Sequence, residues 1–150
     1  MFNKKAFFAA AVCTILLISG CAANKKTGSL RVRAVDGFTS APICGASITV
    51  PETGKTYKTS ADGTAGELAL PVLPDEGYEK LLPSGEGRVT LIVRAEGYTP
   101  YLLLYARVKP GVCRDIDVLL FPEDGTLPVF TVIEAPDEAW CRQLIERFEP

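Results

Sequence analysis

The sequence contains no histidine among its 150 residues. Its absence excludes zinc sites of the HxxE and HExxH types, the Ser-His-Asp triad and Cys-His pairs, because each of these needs an imidazole. Ser-Lys and paired-carboxylate catalysis stay formally open, but acids such as Asp75, Glu76 and Glu79 lie in a segment rich in proline and glycine, which is typical of solvated loop groups. We therefore expect no enzymatic activity, no catalytic residue, no metal and no cofactor.

The sequence also has little excess charge of either sign. Sixteen Lys and Arg stand against 18 Asp and Glu, for a formal net charge of −2. No basic stripe of the kind that binds nucleic acid is present, so we expect no nucleic-acid partner. The glycines of Gly85-Glu86-Gly87 lack the spacing and the following helix of a phosphate-binding loop.

One long apolar run occurs, and it lies at the N-terminus. Lys4 and Lys5 precede a stretch from Ala6 to Ile18 that is almost wholly apolar, and Ser19 and Gly20 follow it. A run of about 13 residues is shorter than the roughly 20 that cross a bilayer as a helix. This layout predicts a cleaved signal peptide over residues 1–20, with an uncleaved anchor helix as the alternative.

The motif Ile18-Ser19-Gly20-Cys21 resembles the bacterial lipobox. That resemblance implies that the thiol of Cys21 takes a diacylglycerol and that cleavage leaves Cys21 as the new N-terminus. Residues 21–27 then form a lipidated cysteine and a polar tether. The predicted location is the extracytoplasmic face of the cell membrane, although Ala22 and Ala23 leave outer-membrane sorting open.

Five cysteines are present. Cys13 falls in the predicted signal peptide and Cys21 is the predicted lipidation site, which leaves Cys44, Cys113 and Cys141. Their spacing is too wide for a CxxC redox or zinc motif. An exported domain permits a disulfide, but three is an odd number. One pair with a free thiol, or three free thiols, both remain open.

The body of the chain alternates apolar and polar residues with a period of two, which indicates half-buried strands. The clearest cases are Leu30-Val32-Ala34 and Ala46-Ile48-Val50. Turn signals such as Pro51-Glu52-Thr53-Gly54 and Asp62-Gly63 separate the strands. The prediction is a seven-stranded antiparallel β-sandwich over residues 28–122, with a long loop over residues 71–87.

The tail, residues 123–150, has a different pattern. Pro128 to Ile133 reads as an extra strand, and Pro136 is expected at the first position of a short C-terminal amphipathic helix. Trp140, Leu144 and Phe148 recur every four residues and form one apolar stripe. The stripe either packs on the sandwich or recognises a partner.

The ordered segments "GSLRVRAVDG", "APICGASITV", "YKTSADGTAGELALP" and "VTLIVRAEGYTPYLLLYARVKPGVCRDIDVLL" resemble the carboxypeptidase regulatory-like domain. That resemblance implies a transthyretin-like (prealbumin-like) β-sandwich. Pro42-Ile43, Gly45-Ala46, Asp62-Gly63 and Ala95-Glu96-Gly97-Tyr98 occupy the places of the family pattern. The chain is similar, more narrowly, to sandwich modules that accompany peptidoglycan-binding or cortex-lytic parts in spore-forming bacteria.

The functional prediction is a non-catalytic, membrane-anchored lipoprotein that serves as a structural or protein-interaction module of the cell envelope. The alternative is a module that binds glycan or peptidoglycan. The predicted contact residues for a ligand or partner are Tyr78, Trp140, Leu144 and Phe148. A coplanar pair of exposed aromatic rings would favour glycan, whereas a contiguous apolar patch would favour a protein.

Overall fold

The computed structural model describes residues 26–148. The predicted signal peptide and the lipidation site Cys21 lie outside the described residues and stay predictions. Within the described part, eight strands and two helices follow one another along the chain. They are β1 (Thr27–Asp36), β2 (Ser47–Val50), β3 (Lys55–Lys58), β4 (Thr64–Pro71), α1 (Glu76–Leu81), β5 (Gly87–Arg94), β6 (Tyr101–Val108), β7 (Cys113–Leu120), β8 (Phe130–Ile133) and α2 (Glu138–Arg147).

The strands form two sheets, which confirms a mainly β fold with two layers. One sheet has the order β4-β1-β7 and the other the order β3-β2-β5-β6-β8. The sheets contain eight strands rather than the seven of the predicted sandwich, and their pairing is mixed rather than only antiparallel, because β1 pairs with β7 and β6 pairs with β8 in parallel. Alternation along a strand tells which residues face inward but carries no information on the direction of the neighbouring strand.

The inward faces of the two sheets form one apolar core. Leu30, Val32 and Ala34 of β1 are fully buried, as are Ile48 and Val50 of β2. The period-two alternation therefore identified the core face of these strands. The remaining core strands contribute Leu68, Leu70, Val89, Leu91, Val93, Leu103, Ala106, Val108, Val118 and Leu120.

Both helices differ from the sequence prediction in their bounds. The expected long loop over residues 71–87 contains α1, whose N-cap Asp75 accepts hydrogen bonds from the backbone N–H groups of Gly77 and Tyr78. Helix α2 begins at Glu138 with Asp137 as its N-cap, so Pro136 precedes the helix and does not open it. A carboxylate that accepts from a first-turn N–H is a stronger start signal than proline, because it satisfies an otherwise unpaired donor.

The direction of β1 defines two ends of the sandwich. The chain enters β1 directly after Lys26, whose carbonyl oxygen accepts a hydrogen bond from Val72 N–H. The ten residues of β1 carry the chain about 30 Å to Asp36. Because β7 runs parallel to β1, Leu120 and the segment after it also lie at this far end. The near end, next to Lys26, holds the start of β5 and the end of β6.

Candidate functional site

The predicted contact residues separate into a packed group and an exposed one. Tyr78 of α1 and Trp140 of α2 are half-buried and meet edge to face, with ring centroids 5.5 Å apart and an angle of 71° between the rings. Leu144 is half-buried, whereas Phe148 is 64% exposed. The stripe therefore packs through its first two members. The role of all four residues in contacting a ligand or partner stays a prediction.

Helix α1 holds an arginine of β5 against its aromatic residue. The guanidinium carbon of Arg88 lies 5.2 Å from the centroid of the Tyr78 ring, a cation–π distance. Arg88 is only 8% exposed. We name Tyr78, Arg88, Tyr105 and Trp140 the arginine site.

Tyr105 reaches this site through a β-bulge. Leu91 pairs with Leu103 and Val89 pairs with Ala106, so β6 has one residue more than β5 between these two pairs. Tyr105 adopts a positive φ of 60°, which is uncommon for a residue with a side chain. Its ring centroid lies 6.4 Å from that of Tyr78. The bulge thus directs an aromatic ring towards α1.

An ion-pair network lies beside the arginine site. Oε1 of Glu134 accepts hydrogen bonds from Nε of Arg107 at 2.8 Å and from Nη2 of Arg114 at 2.7 Å. Arg107 also donates to Asp137 at 3.0 Å. Burial alone lowers the pKa of Arg107, but the hydrogen bond and charge of Glu134 outweigh burial and raise that pKa. The network ties β6 and β7 to the start of α2.

A second region lies at the far end of the sandwich. Phe38, Phe121, Leu127 and Phe130 line an apolar groove of about 350 Å³. Phe38 is 77% exposed and Leu127 is 54% exposed. The ring of Phe121 contacts the rings of Phe38 and Phe130, and its centroid lies 5.3 Å from each of theirs. We name these four residues the apolar groove.

The local backbone fixes the groove in place. Asp36 Oδ1 accepts hydrogen bonds from the N–H groups of Phe38 at 2.9 Å and Thr39 at 2.8 Å, which turns the chain and presents Phe38 outward. Gly37 allows Phe121 to pack against this turn, because a Cβ at position 37 would lie 2.4 Å from the Phe121 ring. The hydroxyl of Tyr98 donates to Asp36 Oδ2 at 3.0 Å and supports the turn from the side.

One acidic residue, Asp124, lines the apolar groove, and a second, Asp36, lies in the turn that carries Phe38. Hydrogen bonds from Thr39 and Phe38 N–H lower the pKa of Asp36. The Thr126 hydroxyl and N–H lower the pKa of Asp124, which lines the groove. Both carboxylates are therefore ionised at neutral pH. No Lys or Arg is among the described residues that line the groove.

Several features of the remaining surface bear on function. Across residues 26–148, no group of three or more Cys, Asp or Glu side chains is placed to hold a metal ion. Cys44, Cys113 and Cys141 are free thiols in this part of the chain. Neither α1 nor α2 has the length and apolar character needed to cross a membrane.

No family model matches the chain, and no curated protein matches it. The resemblance to the carboxypeptidase regulatory-like domain therefore stays a prediction. Among solved structures, the Bacillus anthracis TIE protein is similar over 65% of this chain and 17% of its own, with 21% identity and a TM-score of 0.45. A chain of a type II cohesin–X-dockerin complex from Acetivibrio cellulolyticus is similar over 67% of this chain and 61% of its own, with 15% identity and a TM-score of 0.45.

A third similar structure is 3-chlorocatechol 1,2-dioxygenase from Rhodococcus opacus 1CP. It is 14% identical, covers 69% of this chain and 63% of its own, and has a TM-score of 0.46. The chain thus spans less than two thirds of each of these proteins.

The sequence predicted Tyr78 and Trp140 as contact residues, which stays a prediction, and it indicated neither Arg88 nor the apolar groove. Arg88 occupies an outward position of a regularly alternating strand, which predicts exposure, but Tyr78 of α1 covers its guanidinium and strand and loop residues line the space around it. Phe38 follows directly after a strand end, in a turn that no pattern marks as functional. An exposed phenylalanine between Gly37 and Thr39 was the one available signal.

Proposed function

We propose that this chain is a lipid-anchored β-sandwich that presents the apolar groove to another protein of the cell envelope. The observation that carries the proposal is the group of three phenylalanines and one leucine at one end of the sandwich, with Phe38 at 77% exposure. Contiguous exposed apolar surface of this kind is typical of interaction sites. The sandwich itself is proposed to be of the carboxypeptidase regulatory-like type, on the motifs given above.

The position of the groove supports an interaction away from the membrane. A tether attached through Cys21 enters at Lys26, at the near end of the sandwich. The groove lies at the far end, about 30 Å along β1. An anchored domain of this shape would expose the groove to the envelope space rather than to the lipid surface.

The charge of the groove defines the chemistry of the partner. Asp124 lines the groove, Asp36 lies in the turn that carries Phe38, and no basic residue is among the described lining residues. We propose that the partner inserts an apolar side chain flanked by Lys or Arg, because opposite charges at the rim favour association and fix its orientation.

The glycan alternative has less support at the predicted residues. A sugar stacks on an exposed aromatic face, but the rings of Tyr78 and Trp140 stand at 71° to each other and are half-buried. They do not form an exposed coplanar pair. The apolar patch is the feature that favours a protein partner.

A site-specific cross-linking experiment tests the groove. The full chain carries a photoreactive residue at Thr126, which lines the groove, or at Thr56 of β3 as the control position. After irradiation with envelope extract, mass spectrometry identifies the cross-linked peptide. We expect one protein from Thr126 and not from Thr56, with a cross-linked segment that contains an apolar residue next to Lys or Arg.

Two phenylalanine variants complete the test. Phe38→Ser should remove the cross-link, whereas Phe148→Ser, a change of another exposed ring at the C-cap of α2, should leave it intact. If the cross-link were lost with Phe148→Ser but kept with Phe38→Ser, the interface would lie near the end of α2, and this would contradict the proposal. Co-sedimentation with purified peptidoglycan that survives Phe38→Ser but not Trp140→Ala would support the glycan alternative instead.

The anchor is tested separately. Incorporation of labelled palmitate into the full chain should disappear in Cys21→Ala, and the protein should move from the membrane fraction to the soluble fraction. A Cys44→Ala control should keep the label, because Cys44 lies outside the predicted lipobox. A label that persists in Cys21→Ala would contradict the lipoprotein proposal and leave the proposal for the apolar groove unaffected.

A further inference from the structure

Arg88 carries a buried positive charge that the described protein does not neutralise. Its Nη1 atom is buried and has no hydrogen-bond partner. Among the described residues, every ion pair near this site belongs to another cation: Glu134 to Arg107 and Arg114, and Glu86 to Lys109. An arginine is rarely buried without a carboxylate or phosphate, because loss of its hydration must be offset by hydrogen bonds.

The position of Arg88 in the sheet increases the cost of its burial. Arg88 lies directly opposite Arg107 in the β5–β6 pairing, and like charges at opposite positions destabilise a sheet. Arg107 is compensated by hydrogen-bonded ion pairs with Glu134 and Asp137, whereas the described residues give Arg88 the face of Tyr78 and no ion pair. Hydrogen bonds from Ser84 are the main cause of the lowered pKa of Glu79, and the charge of Arg88 is the smallest of its causes. Oε1 of Glu79 already accepts hydrogen bonds from Ser84 and Gly85.

A cavity of about 220 Å³ adjoins Arg88 at the α2 side. Its lining includes Arg88, Lys109, Trp140 and Gln143. These side chains offer two cations, an amide and an aromatic wall. Glu86 and Asp137 also line the cavity, and both are ion-paired with Lys109, at 3.1 and 3.8 Å.

We propose that this cavity is a binding site for the carboxylate group of a small ligand, with Arg88 as its primary anchor. A guanidinium matches the planar geometry of a carboxylate and can donate two parallel hydrogen bonds to it. A monoanionic carboxylate suits the cavity better than a dianionic phosphate, because Glu86 and Asp137 repel additional negative charge. This site is separate from the apolar groove and does not depend on it.

The chain offers a direct reporter of this cavity. Trp140 lines it and is the single tryptophan of the sequence, so intrinsic fluorescence of the full chain in detergent arises at the site. The probes are N-acetyl-alanyl-alanine, which ends in a peptide carboxylate, and methyl glucuronide, which carries a sugar carboxylate. Their neutral matches are the dipeptide amide and methyl glucoside.

We expect saturable changes in Trp140 fluorescence with at least one carboxylate probe, and affinity at least about tenfold lower for its neutral match. The probe that binds identifies a peptide or a sugar as the source of the carboxylate. Arg88→Met should abolish binding, and Arg88→Lys, which keeps the charge without the planar fork, should weaken it. Arg94→Met is the matched control, because Arg94 is an exposed arginine on the same face of β5.

Thermal unfolding distinguishes a binding role from a structural one. Without ligand, Arg88→Met should unfold at the same or a higher temperature than the wild type, because it removes an uncompensated buried charge. The binding probe should raise the unfolding temperature of the wild type and of Arg94→Met, but not of Arg88→Met. The proposal is overturned if neither carboxylate binds, if neutral probes bind equally well, or if Arg88→Met binds like the wild type.

Discussion

The indole nitrogen of Trp140 donates a hydrogen bond to the carbonyl oxygen of Leu82 at 2.7 Å. Leu82 is the C-cap of α1, and Arg147 of α2 donates to the preceding carbonyl, that of Leu81, at 3.0 Å. The last carbonyls of a helix lack partners within the helix. Side chains of α2 therefore complete the C-terminal end of α1, so each helix depends on the other for its position on the sheet.

We expect Trp140→Phe to weaken the contact between α2 and the C-terminal end of α1. The variant keeps an aromatic ring against Tyr78 but loses the donor to Leu82, which should cost about 1 kcal/mol of unfolding free energy. Because a helix of ten residues is marginal alone, amide exchange should increase across both α1 and α2. Hydrogen-exchange mass spectrometry measures this, and equal exchange in the variant and wild type would contradict the mutual support.

Ile145→Ala provides the matched control for the same helix. Ile145 is 69% exposed on α2, so its truncation should change stability by less than about 0.5 kcal/mol. A larger effect at Ile145 than at Trp140 would show that α2 is held by a different face.

The carboxylate of Glu134 should be the most costly charge to remove from the surface network. Its side chain is 17% exposed and bridges Arg107 and Arg114. Glu134→Gln removes the carboxylate that two partly buried guanidinium groups share and leaves Arg107 with Asp137 alone, which should lower the free energy of unfolding by about 1–3 kcal/mol. Urea denaturation at low salt measures the loss.

Glu76→Gln tests whether the burial of Glu134 causes the loss of unfolding free energy. Glu76 forms a helical pair with Lys80 at 3.9 Å, but its side chain is 91% exposed. Solvent screening makes such pairs weak, so we expect a change below about 0.5 kcal/mol. Similar losses for the two variants would indicate that burial of Glu134 is energetically irrelevant.

The sequence predicts the core strands well and their arrangement poorly. Alternation identifies the buried face of β1 and β2 because it depends only on local geometry. The charged segments Arg31-Val32-Arg33 and Asp115-Ile116-Asp117 are complementary, and Arg33 and Asp117 do form a double hydrogen bond at 2.9 and 2.8 Å. The same charges would match in an antiparallel register, so they could not reveal the parallel pairing of β1 with β7.

The candidate sites depend on contacts between distant segments, which local patterns do not encode. Tyr78 of α1 covers the guanidinium of Arg88 and Trp140 of α2 lines the cavity beside it, whereas the predicted long loop over residues 71–87 contained no helix. Likewise, the apolar groove joins Phe38 to residues more than 80 positions further along the chain. Tyr105 joins the arginine site through a bulge, and the unbroken apolar run before it hides that irregularity.

Gly63 occupies a turn that should tolerate no side chain. Its φ is +77°, and a Cβ there would lie 2.6 Å from the carbonyl oxygen of Ala34. Gly63→Ala therefore combines an unfavourable backbone conformation with a clash against buried backbone, and should cost more than about 2 kcal/mol. Thermal and urea unfolding of the variant measure this cost.

Gly45→Ala separates the cost of the backbone conformation from the cost of the clash. Gly45 has a nearly identical φ of +78°, but a Cβ there meets nothing within 4 Å. The variant should lose only the conformational part, about 1–2 kcal/mol. Equal losses at the two positions would mean that the backbone around Gly63 moves to relieve the clash.

The Asp36–Tyr98 hydrogen bond should make stability depend on pH at both extremes. Hydrogen bonds lower the pKa of Asp36, so its contribution is present above the ordinary value of about 4 and is lost as the pH falls through the lower folded-state value. The hydrogen bond to Asp36 raises the pKa of Tyr98. Its contribution is therefore present below about pH 10 and is lost as the pH rises through the higher folded-state value.

Two substitutions distinguish the contribution of Asp36 to this pH dependence from that of Tyr98. Tyr98→Phe should flatten the alkaline decline of unfolding free energy and leave the acid decline almost unchanged, because backbone N–H groups of Thr39 and Phe38 are the main causes of the lowered pKa of Asp36. Asp36→Asn should flatten both, because Asp36 is the main cause of the raised pKa of Tyr98. Urea denaturation across pH 2–11 would contradict this assignment if Asp36→Asn kept the alkaline decline of the wild type.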